Sequence, residues 1–189
     1  MNSYLIVLFL HFVGMAALLI GYGLEWTAST LLRGTTTAGE ARSWLRIYRA
    51  SLPVSGPGLL LLILTGGYMA GVTQRSAAGW VIAAWIGIAV ALVIGFGMLL
   101  PRFKKLRVAL PAEGTAALSG DGLVRVKDPV VATLIRIRTM LATGIVYLMA
   151  AKPTLVPSFV VLLAAIGVGV IFAAPAWSRE VKMETETRK

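Results

Sequence analysis

Cysteine is absent from this chain, and histidine occurs once, at His11. The first absence excludes a disulfide framework, a thiolate metal site and an iron–sulfur cluster. The second excludes any site that needs two imidazoles from one polypeptide. Acidic residues are scarce, 8 against 18 Lys and Arg. Charged residues of both signs make up 14% of the 189, where a soluble domain has roughly 25%. Apolar residues fill the space, at 58% against a usual value of roughly 45–50%, and the mean hydropathy is +0.83. This balance excludes a disordered chain, a coiled coil and an ordinary soluble domain, and it points to the membrane. No nucleotide-binding loop, catalytic triad or paired buried carboxylate is present.

Five apolar runs, 4–24, 54–72, 80–100, 130–150 and 155–177, are each close to the roughly 20 residues that cross a bilayer as a helix. The fold expected is therefore all-α, a single polytopic bundle of five transmembrane helices. A net charge of +10 and a pI near 10.6 would suit a nucleic-acid binder, but the charge is distributed as a topology signal. All the cations except Arg75 and Lys152 fall in the first loop, the third loop with the base of the fourth span, and the tail. The positive-inside rule then puts the N-terminus outside and the C-terminus in the cytoplasm, in a cell inner membrane. No nucleic-acid partner is expected. The leading Met-Asn-Ser-Tyr has no basic residue, so the first run reads as a retained span, not a signal peptide.

Between the spans, 101–129 reads as a cytoplasmic basic loop broken by Pro101, Pro111, Gly114, Gly120 and Gly122. Its first part and the stretch 39–50 mix arginines and lysines with apolar residues. Both are expected to rest on anionic lipid headgroups at the cytoplasmic face. Small residues mark where helices meet. They recur as Ala83, Gly87, Ala91 and Gly95 in the third span and as Ala165, Gly169 and Ala173 in the fifth. The short connection at 152–154 makes the last two spans an antiparallel hairpin. Tyr4, Tyr68, Trp80 and Trp177 lie near span ends as interfacial anchors.

Polar residues at membrane depth are the candidates for function. His11, Gly14, Leu18, Gly21 and Glu25 are 3, 4, 3 and 4 apart and so share a helix face, expected to point into the bundle. Arg136, Met140, Thr143 and Tyr147 share a face of the fourth span by the same rule. Glu25 and Arg136, both near the cytoplasmic ends, can pair there, with Arg138 and Arg49 as competing partners. The pair serves as a structural lock between helices or, with Thr143 and Tyr147, as part of a pathway. His11 is the one candidate ligand for a cofactor, since a neutral imidazole binds a metal or haem iron through one nitrogen. The alternative for His11 is a hydrogen bond to a neighbouring helix, through Tyr68, Tyr147 or Thr65.

The first-span phrase LHFVGMAALLIGYGLEW resembles the opening of a broad group of small bacterial membrane proteins. The group includes the copper-resistance protein D family, the HemJ-type protoporphyrinogen oxidases and several uncharacterised integral-membrane families. TGGYM at 65–69 and RIRTMLATGIVYLMAAKP at 136–153 look like marks of one uncharacterised family among them. The HemJ resemblance implies bound haem with His11 as ligand. The lysine that HemJ-type proteins carry deep in the third span has no counterpart in 80–100. Three functions are left to weigh. The first is a non-enzymatic accessory or binding bundle, with a homo-oligomer or another membrane protein as partner. The others are a haem- or metal-binding redox protein using His11, and a small transporter.

Overall fold

The computed structural model describes residues 3–111, 115–118 and 120–187, with side chains described as far as residue 178. Among the described residues the chain is helical, and its one β-type contact is a bridge between Thr37 and Ala117. The helices are α1 (Ser3–Leu32), α2 (Ala38–Val72) and α3 (Gly79–Leu92), which leads through a wider π-helical segment, Val93–Leu99, into α4 (Leu100–Ala109). After these come the short α5 (Gly120–Val126), then α6 (Pro129–Ala151) and α7 (Leu155–Thr187). Five helical stretches are long and apolar enough to cross a membrane. Large apolar side chains such as Phe9, Val93, Phe96 and Ile171 point outward, as they do where the solvent is hydrocarbon. This is a multi-pass membrane bundle.

The helices run past the expected span limits, and at two places that changes the picture. The stretch 39–50 is the lower part of α2, continuous with the second span. Thr37 caps it in a reciprocal pair with Glu40, which fixes where the helix starts. Ala41, Leu45 and Tyr48 are buried, while Arg46 and Arg49 are exposed. The mixture of arginines and apolar residues belongs to a packed amphipathic helix. Pro53 and Pro57 lie inside α2, as membrane helices tolerate when neighbours satisfy the freed backbone groups.

The second place is 101–129, where the described residues include α4 and α5 and pack against the bundle. Phe103, Leu106, Leu110, Leu118 and Val126 are buried in one cluster with Leu45, Ala28 and Ile135. Tyr48 stacks on Phe103 with ring centroids 3.8 Å apart. Pro101 does not stop the third span. A proline ring clashes with the carbonyl four residues back in an α-helix, and here the turn just before it is widened. The Leu100 N–H bonds to the Gly95 carbonyl, five residues back.

Close approaches hold the bundle together. A Cβ on Gly58 would lie 2.9 Å from the Gly14 carbonyl oxygen, and one on Gly21 would lie 2.5 Å from the Ser55 Cβ. The backbones of α1 and α2 therefore touch along their length. On the other side α7 lies against α6, where a Cβ on Gly169 would meet the Ile137 Cα at 2.6 Å. The turn between α6 and α7 is closed by Lys152 in the left-handed conformation, φ 49°, as a hairpin needs. Gly87 of the third span fits against Ile145 of α6.

Candidate functional site: an apolar cavity over a buried ion pair

α1, α2, α3 and α6 surround a cavity of about 390 Å³ at the end of the bundle that carries Arg75 and Lys152. Its walls are apolar: Leu8, Met15, Leu59, Leu62, Ile88 and Ile145 are representative. Trp85 closes part of the seam between α2 and α3, its Cζ2 standing 3.8 Å from where a Cβ on Gly67 would be. Nothing in the hydropathy pattern announces a cavity, since its lining is as apolar as a packed interface.

His11 stands in the cavity wall and is buried. Its Nδ1 is 2.8 Å from Thr65 Oγ1, and its Nε2 is 3.5 Å from Met149 Sδ. Thr65 is one of the three partners weighed from the sequence. Tyr68 and Tyr147 are 46% and 56% exposed and take no part in holding the ring. Gly66 makes room for the imidazole, because a Cβ there would approach His11 Cε1 to 3.3 Å. A histidine oriented through one nitrogen with the other aimed at a soft sulfur has the layout of a ligating histidine. Among the described residues no group of three His, Asp or Glu could hold a metal ion, so a metal here would draw on thioether or cofactor donors.

The shared face on α1 is confirmed: His11, Gly14, Leu18, Gly21 and Glu25 are all buried. Glu25 is paired with Arg138, not with Arg136. The arginines are two positions apart, so they leave α6 in different directions. Arg138 stacks over the Tyr22 ring, 4.4 Å from its centroid, and Gly95 leaves the space its guanidinium needs. Ser51 Oγ, 3.1 Å from Glu25 Oε1, supplies a further hydrogen bond from α2. Tyr22 and Ser51 were missed in the sequence, although Tyr22 precedes Glu25 by three residues and so lies on its face. Arg136 instead sits 5.3 Å from the centroid of Trp26, which meets Phe172 edge-on. Its Nη2 reaches Thr30 Oγ1 at 3.4 Å.

The shared Arg136 face of α6 is buried at one end and exposed at the other. Arg136 is buried under Trp26, but Thr143 and Tyr147 are exposed. The Thr143 hydroxyl donates to the Thr139 carbonyl of its own helix at 3.1 Å. The stripe is covered at one end only, and neither Thr143 nor Tyr147 lines the cavity.

Compared with protein-family models, curated proteins and solved structures, the chain matches none.

Proposed function

We propose that the protein is a non-enzymatic binding bundle of a cell inner membrane, which holds a small apolar molecule in the cavity beside His11. The observation that carries the reading is the cavity, about 390 Å³ with apolar walls and a single oriented imidazole. Small-molecule sites are typically concave, mostly apolar and roughly 300–1,000 Å³, with a few placed polar groups. The acidic residues described lie elsewhere. Glu25 and Arg138 bond to each other, which suits a lock between helices, and among the described residues no carboxylate lines the cavity to act as acid or base.

The test uses the full chain in mild detergent and a neutral brominated acyl ester, with the fluorescence of Trp80 and Trp85 as readout. Both indoles line the cavity. Saturable quenching is expected, and Ala142→Phe, which fills the cavity wall, should abolish it. Quenching that survives Ala142→Phe, or never saturates, overturns the reading.

One observation favours a second reading, the haem- or metal-binding redox protein. His11 Nε2 faces Met149 Sδ, and His with Met is a known axial pair for haem iron. Added haem should then give a Soret band that His11→Ala removes. A wild-type protein that stays colourless with haem would leave His11 as the hydrogen-bonded wall of an apolar site.

A further inference from the structure

Arg75 and Lys152 differ from the other cations among the described residues in where they lie. Both line the cavity, together with Thr73. The backbone sets them there at the ends of two different helices. α2 stops at Val72, and Gln74 turns the chain with φ 53°, which puts Arg75 in the turn. α6 stops at Ala151, with Lys152 as its left-handed C-cap, its N–H bonded to the Leu148 carbonyl. Among the described residues no carboxylate forms an ion pair with either side chain. The cavity thus has two cations with no acidic partner at one end, while its walls are apolar down to His11.

From this charge complementarity we infer that the ligand is a single-chain anionic amphiphile. Its carboxylate or phosphate head would lie between Arg75 and Lys152, with the chain running toward His11 and Met149. The inference rests on the cavity being a ligand site and adds the chemistry of the ligand. The volume matches one apolar body at the lower end of the usual range for small-molecule sites. An anionic head needs a cation or hydrogen-bond donors to leave water, and the two turns supply both. The apolar walls exclude a purely polar anion, and the paired cations disfavour a neutral lipid.

Two brominated probes separate the possibilities: a dibrominated long-chain fatty acid and its methyl ester, titrated into the full chain in nonionic detergent at alkaline pH, where the carboxyl is ionised. Quenching of Trp80 and Trp85 is the readout. The acid is expected to bind at least about tenfold more tightly than the ester, the effect of roughly one charge-assisted hydrogen bond. The double variant Arg75→Gln/Lys152→Gln should lower acid affinity to that of the ester and leave the ester unchanged. Arg107→Gln, at the other end of the bundle, should keep the preference. Equal binding of acid and ester by the wild type overturns the inference and leaves the cavity reading standing. An acid preference that survives the double variant overturns it as well. Absence of saturable quenching by either probe removes both readings.

Discussion

Buried ionisable side chains decide how this bundle fits together at the scale of single residues. Glu25 is 1% exposed and Arg138 7%, so each depends on the other for compensation of its charge. Removing one partner of such a pair typically costs about 3–5 kcal/mol, because an uncompensated charge stays behind. Glu25→Ala should therefore destabilise the protein strongly in detergent unfolding, while Glu25→Ala/Arg138→Ala should lose clearly less than the two single changes added together. Glu25→Ala combined with Arg136→Ala should be nearly additive, since Arg136 stands over Trp26 instead. Additivity for the first pair would mean that Glu25 and Arg138 do not interact. The sequence made the face of Glu25 legible, because spacing alone determines which residues of a helix lie together. It did not choose between arginines two positions apart. That choice depends on Gly95, Tyr22 and Ser51, which come from three different helices.

At the scale of the helical element, contacts between small residues set the distances. Gly14 and Gly58 meet with backbone atoms at the contact, whereas a Cβ on Gly23 or Gly56 would have nothing within 4 Å. Gly58→Val should push α1 from α2 and cost about 1–3 kcal/mol, the usual penalty for overpacking. Gly56→Ala should leave the unfolding midpoint close to that of the wild type, and an equal loss in both variants would mean the close approach is not what holds the pair. The five spans were legible because hydropathy over some 20 residues is a strong signal. Their ends were not. The lower part of α2 carries arginines on its outer face and apolar residues on its inner face, a composition that a helix lying on a membrane surface shares. The outcome depends on whether another element covers the apolar face, and here Phe103 of α4 covers Tyr48.

For the whole molecule, the separation of charge predicts an orientation that reporter fusions test. Reporter fusions at Arg75 and Lys152 should be external, and fusions at Arg49, Arg107 and Lys189 cytoplasmic. A cytoplasmic reporter at Arg75 would mean that α2 or the third span does not cross. The shape of the basic half depends on one local event, the widened turn at Val93–Leu99. Extended from Ala91 as a regular helix, the inward positions would fall on Met98, Arg102, Lys105 and Ala109. In the folded chain they fall on Leu99, Phe103, Leu106 and Leu110, all of them buried. The segment behaves as a frameshift in three dimensions, in which one supernumerary residue re-aims every side chain downstream. Loss of a single codon within 93–99 is then the compensating deletion: the turn can close to ordinary helix with Phe103 and Leu106 still facing inward. Gain of a codon there would leave the hydropathy profile and the number of spans intact, yet it would swing two cations into the place of those apolar side chains.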